Sequence, residues 1–179
     1  MRVITGMAKG HRLLSPEGTK TRPTTDRVKE SIFSVIQGYV SESMVLDLFA
    51  GSGALGIEAL SRGANWCDFV EKDKFTASFI IKNLQKTRFE NCSVYTEDYA
   101  DYLARCKRRY DLVFLDPPYK KGLCDASIRL ISQYGILNEG ALIICETSAR
   151  EEISCQYSLR GRYKYGTTAV TVFENKVMQ

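Results

Sequence analysis

Histidine is almost missing from this chain: His11 is the only one in 179 residues. That scarcity argues against a zinc site of ordinary composition and against any triad that needs an imidazole beside the central motifs. The six cysteines (Cys67, Cys92, Cys106, Cys124, Cys145 and Cys155) include no Cys-x-x-Cys pair. Several sit in apolar, strand-like runs such as Leu142-Ile143-Ile144-Cys145, so they read as buried thiols in a reducing compartment. No apolar run approaches the ~20 residues that span a bilayer, and Met1-Arg2-Val3-Ile4-Thr5-Gly6 lacks the apolar stretch of a signal peptide. A soluble, cytoplasmic chain is expected. There is no internal repeat, low-complexity tract or long linker. At 44% hydrophobic residues the chain can build one substantial core and is too short for two ordinary domains.

What charge there is lies unevenly. Residues 1–29 carry seven Lys/Arg against Glu17 and Asp26, whereas residues 30–179 carry 18 basic against 19 acidic side chains, so the net +4 of the chain sits in its first sixth. Gly6, Gly10, Pro16, Gly18 and Pro23 mark turns there. A basic, loop-rich arm of this kind suits phosphate contacts on nucleic acid.

Beyond the arm, strand-length apolar runs alternate with helix-period segments, the pattern of an α/β sheet. Thr25 or Asp26 can cap a helix with Val28, Ile32, Val35, Ile36 and Tyr39 on one face, ending near Gly38. Strands are predicted at 44–49, 66–70, 93–96, 110–115 and 141–146, and helices at 54–62, 75–86, 99–108 and 126–134. A closing hairpin is expected from Tyr163–Tyr165 and Ala169–Phe173 around Gly166, with one further short helix over Ser148–Ser154.

Two motifs carry chemistry. The run Asp116-Pro117-Pro118-Tyr119 follows the predicted strand Tyr110–Leu115. Proline fixes φ and has no N–H, so Pro117 and Pro118 end the strand and leave stiff carbonyls facing a ligand. A carboxylate and a carbonyl can accept both hydrogens of an exocyclic amino group, and Tyr119 offers a face on which a base stacks. The second motif runs from Asp47 through Phe49, Gly51, Ser52 and Gly53 to Gly56, with Gly-x-Gly-x-x-Gly spacing between strand and helix. Gly51 and Gly53 permit a tight turn beside a ligand, and Gly56 lets the helix lie close to the sheet. Glu71, at the end of the next strand, is placed to grip ribose hydroxyls. Glu97-Asp98 ends the third strand, where a side chain can meet an adenine amino group. One acidic strand end is ordinarily a polar cap; three lining one crevice favour a nucleoside-containing cofactor.

A nicotinamide-dependent oxidoreductase is the rival enzyme class. Asp47, just before the turn, would sit badly against a pyrophosphate and well beside a cationic amino acid group, and hydride transfer does not account for Asp116 to Tyr119. S-Adenosylmethionine, a nucleoside carrying an ammonium and a sulfonium, accounts for both.

On these residues the chain resembles class I S-adenosylmethionine-dependent methyltransferases that act on amino groups. More narrowly, it resembles the bacterial RsmD family, which methylates the exocyclic N2 of a guanine in 16S ribosomal RNA. The narrower likeness rests on Arg22-Pro23-Thr24-Thr25-Asp26-Arg27-Val28-Lys29-Glu30, on Asp47 to Gly56 followed by Glu58-Ala59-Leu60-Ser61-Arg62, on Asp116 to Tyr119 followed by a basic pair and Gly122, and on Ile4-Thr5-Gly6 with Gly10. The glycine loop and Asp-Pro-Pro-Tyr also occur in adenine-N6 enzymes, so the family-specific block is the one from Arg22 to Glu30.

The resemblance implies a Rossmann-like, seven-stranded, mostly parallel sheet with an antiparallel last strand and helices on both faces. It implies a basic extension and helix over 1–40 and a methyltransferase domain over 41–179. It implies catalytic roles for Asp116, Pro117, Pro118 and Tyr119, and cofactor contacts from Asp47, Phe49, Gly51, Ser52, Gly53, Glu71, Lys72, Asp98 and Tyr99. RNA contacts are expected from Arg22, Thr24, Arg27, Lys29, Lys120 and Lys121. The expected partner is 16S rRNA, within a small ribosomal subunit or assembly intermediate, with no metal. The alternatives are another nucleic-acid amino methyltransferase, adenine-N6 included, and an RNA-binding assembly factor without significant catalysis.

Overall fold

The computed structural model describes residues 1–16, 26–118 and 122–176. Arg22, Thr24, Tyr119, Lys120 and Lys121 lie outside them, as does Thr25. The elements are α1 (Asp26–Val35), β1 (Met44–Asp47), α2 (Ala54–Ser61), β2 (Trp66–Val70), α3 (Lys74–Thr87), β3 (Cys92–Tyr95), α4 (Tyr99–Arg105), β4 (Tyr110–Leu115), α5 (Leu123–Tyr134), β5 (Leu137–Ser148), β6 (Ser158–Tyr165) and β7 (Thr168–Glu174). They form one seven-stranded sheet in the order β3-β2-β1-β4-β5-β7-β6, in which β7 pairs antiparallel with both β5 and β6. The chain reverses its winding between β1 and β4. Such a switch point opens a crevice at the carboxyl ends of those strands.

Alternate strand residues feed two cores. Phe114, Ile144 and Val45 face α1, α2 and α3, whereas Leu46, Val113, Leu115 and Cys145 face α4 and α5. All eight residues of α2 are buried, so this helix is a wall between the sheet and the arm. The arm closes on itself through an Arg2–Arg12 bridge and adds Val3, Ala8 and Leu13 to the first core. No helix among the described residues is long and apolar enough to cross a membrane. All six cysteines are free; Cys67, Cys124 and Cys145 are buried and the others half-buried.

Three sequence expectations need correction. Ser148–Ser154 is not a helix: the Arg162 guanidinium donates to the Ala149 and Glu151 carbonyls, occupying acceptors a helix would need. The fourth helix stops at Arg105, three residues early, because Cys106 turns extended and Arg108 reaches back over the Trp66 ring to Asp68. Strands β5 and β6 are longer than expected, since antiparallel pairing with β7 extends them past the apolar residues that mark them in the sequence.

Candidate active site

The glycine loop leaves β1 at Asp47 and enters α2 at Ala54, with positive φ at Gly51 (55°) and Gly53 (84°). A side-chain carbon at Gly51 would meet nothing within 4 Å, so the loop opens onto free space there. One added at Gly56 would lie 2.3 Å from Phe69 and 2.7 Å from the Cys67 sulfur, which explains why α2 needs glycine where it crosses β2.

Asp47 is 1% exposed and accepts the Gly56 amide at 3.0 Å. It therefore holds the loop from behind, and its carboxyl is pushed up to about 7, chiefly by burial, with the negative fields of Asp116 and Glu71 adding to the shift against the Gly56 hydrogen bond. Glu71 accepts the Gly51 and Asp73 amides, each at 2.9 Å. Its carboxyl is also raised, mainly by burial. Carboxylates at the ends of β1, β2 and β4 thus lie within reach of one another's fields. Asp47 and Glu71 resist ionisation, so a cation beside them would be favoured.

Phe49, from the loop after β1, and Tyr99, from the start of α4, come together with ring centroids 5.1 Å apart. Asp98 caps α4 through the Ala100 amide at 3.0 Å and pairs with Lys72 at 2.9 Å, and both contacts lower its pKa. Lys72 is otherwise exposed. Ser52 is buried, its carbonyl accepting from Asn83 at 2.9 Å. At the β4 end Asp116 is half-buried, Pro117 buried and Pro118 exposed.

Arg27 is exposed on α1. Lys29 is not: its side chain is fully buried, 3.0 Å from Glu58, and it donates to the Arg2 carbonyl. Lys29 therefore fastens the arm and does not touch RNA. Glu58 also accepts the Ile4 amide at 2.8 Å, the Thr5 amide at 3.0 Å and the Arg62 guanidinium at 2.8 Å. This hub was visible in outline as the one charged residue in the apolar run from Ala54 to Leu60, but nothing in the sequence named its partners. Two further polar residues escaped the sequence reading. Asn83 joins arm and loop, and Glu146 is a buried carboxylate at the end of β5, on the strand beside Asp116. The repeat of acidic strand ends was the available signal for Glu146. No group of three or more His, Cys, Asp or Glu among the described residues is placed to hold a metal.

The family model described as "Conserved hypothetical protein 95" matches residues 1–174. Ribosomal RNA small subunit methyltransferase D of Escherichia coli is 34% identical, the match covering 98% of this chain and 90% of that protein. The Haemophilus influenzae protein of the same name is 42% identical over 82% of this chain and 78% of its own length. The solved structure of the Escherichia coli protein yhhF superposes with a TM-score of 0.89 at 34% identity, covering 99% of both chains. An RNA methyltransferase from Salinibacter ruber, solved with S-adenosyl-L-homocysteine, has a TM-score of 0.71 at 13% identity over 88% of this chain and 96% of that one, a likeness of fold. With its glycine loop, its acidic crevice and a match spanning nearly its whole length, the chain belongs to the ribosomal RNA small subunit methyltransferase D family.

Proposed function

We propose that the protein transfers a methyl group from S-adenosylmethionine to the exocyclic N2 of a guanine in small-subunit (16S) ribosomal RNA, in the cytoplasm, on a subunit or assembly intermediate. The observation that carries this reading is the crevice in which Asp47, Glu71 and Asp116 meet beside an open glycine loop. When bound there, S-adenosylmethionine supplies an electrophilic methyl group on a sulfonium. Its cationic ammonium and sulfonium would match the negative field, Glu71 would hold the ribose hydroxyls, and the paired rings of Phe49 and Tyr99 would shape the nucleoside end.

The chain's own work is positioning. Asp116 accepts one hydrogen of the target amino group and the Pro117 carbonyl the other, turning the nitrogen lone pair out of conjugation and toward the methyl carbon. Asp116 then takes up the proton that the methylated nitrogen sheds. Holding two reactants in line in this way supplies most of the acceleration. The target base first leaves its stack, at about a few kcal/mol, and Tyr119 provides the new face. Arg22, Thr24, Arg27, Lys120 and Lys121 engage the phosphates around it.

The test is transfer of labelled methyl from S-adenosylmethionine to small-subunit rRNA, free and in subunits lacking the modification, with nucleoside analysis of the product. N2-methylguanosine is expected. N6-methyladenosine would overturn the base assignment, and no transfer to either substrate would overturn the enzymatic reading.

A further inference from the structure

Asn83 has no exposed surface and binds two functional segments at once. Its Oδ1 accepts the Leu14 amide at 2.7 Å, while Nδ2 donates to the Leu14 carbonyl and to the Ser52 carbonyl, each at 2.9 Å. The two contacts with Leu14 copy those of a neighbouring strand. The third reaches the glycine loop, where the adjacent Gly51 amide is held by Glu71. Leu14 stands two residues before Pro16, after which the sequence runs into the block holding Arg22 and Thr24.

A planar amide has its two hydrogens fixed relative to each other. If the Ser52 carbonyl moves, the Asn83 side chain must turn and its grip on Leu14 loosens; if the arm lifts, Ser52 loses its donor. Either loss leaves a buried polar group unpaired, which is costly enough to bias both segments together. We infer that Asn83 is a positioning residue coupling the cofactor loop to the RNA-contacting arm, so that occupancy of one site tightens binding at the other. This rests on the reading of the arm as an RNA contact.

Two measurements test it. In the wild-type protein without RNA, S-adenosylhomocysteine should slow amide hydrogen exchange across residues 10–16; unchanged exchange there would overturn the coupling without recourse to any variant. Calorimetry should then show S-adenosylhomocysteine binding at least about fivefold more tightly with small-subunit rRNA present, the lower end of ordinary coupling, and RNA gaining by the same factor. Asn83→Asp keeps the acceptor for Leu14 but aims an oxygen at two carbonyls, and should bring the ratio to about one. Lys86→Met removes the 2.7 Å bond to the Arg12 carbonyl, loosening the arm without touching the loop, and should keep the ratio. A residue that merely supports the fold would weaken both affinities and leave the ratio alone, so a preserved ratio in Asn83→Asp, or none in wild type, sinks the proposal. Failure of wild type to bind or methylate RNA would instead remove the functional reading, with the exchange experiment still judging the link between loop and arm.

Discussion

Asp47 and Asp116 are both strand-end aspartates, yet one is sealed and the other half-open. The folded protein holds a proton on Asp47 up to about pH 7, against 3.8 for the ordinary group. A raised carboxyl contributes stability that is complete below the ordinary value and lost as pH climbs through 7. Asp47→Asn cannot ionise and keeps an oxygen for the Gly56 amide. Its thermal midpoint should therefore match wild type near pH 4 and exceed it from pH 7 upward, reflecting a stability gain of at most about 4 kcal/mol for a shift of about three units. Equal midpoints at pH 8 would contradict a strained, buried charge. In wild type, S-adenosylmethionine affinity should fall below pH 7, because a cation prefers the ionised crevice. Asp116→Ala, in contrast, should abolish methyl transfer and leave cofactor affinity within about tenfold, because the proposed reading places it on the acceptor amine; calorimetry beside a transfer assay separates the two. Strand-end carboxylates were legible because a residue's place after an apolar run fixes where it emerges. Lys29 was not, because sequence displays a charge but not its burial, and Glu58 lies 29 residues further on.

At the scale of elements, α2 joins the glycine loop at one end to the arm at the other. Gly56→Ala would drive a methyl into Phe69 and Cys67, forcing α2 off the sheet and the Gly56 amide off Asp47. Overpacking of this kind costs about 1–3 kcal/mol, and S-adenosylhomocysteine binding should weaken with it; a normal thermal midpoint would show that the helix has room to spare. Glu58→Ala should cost about 3–5 kcal/mol, as expected when a buried ammonium loses its partner. The double change Lys29→Met with Glu58→Leu should recover only part of that, because the Ile4 and Thr5 amides remain without their acceptor. Chemical denaturation of the three variants measures both effects. Helix α2 itself could be read from the glycine spacing and the apolar run. The segment after β5 could not, since its path depends on Arg162 from β6, and a helix-like local pattern yields to a distant side chain that captures its carbonyls.

For the whole molecule, the alternation of strands and helices and the glycine loop were enough to place the crevice, because parallel sheets wind by few rules. Strand pairing along β5, β6 and β7 was less legible, being a matter of register between segments. Charge works at this scale too. Reversing Arg22 and Arg27 together should weaken RNA association and reduce the magnitude of its log–log salt slope by about 1.5, as two phosphate contacts stop releasing counterions; an unchanged slope would take the arm out of the interface. The way the arm is fastened also bears on how the chain is made. Residues 1–14 precede the anchors that fasten them: Lys29 lies nearer in the chain, and Glu58, Ser61, Asn83 and Lys86 lie much further on. Loops of more than 50 residues must close before the bonds to Glu58, Ser61, Asn83 and Lys86 can form, so the arm waits for α2 and α3, which follow it in the chain, before it can settle. During that interval the nascent chain presents an undocked cationic segment to the machine that is producing it.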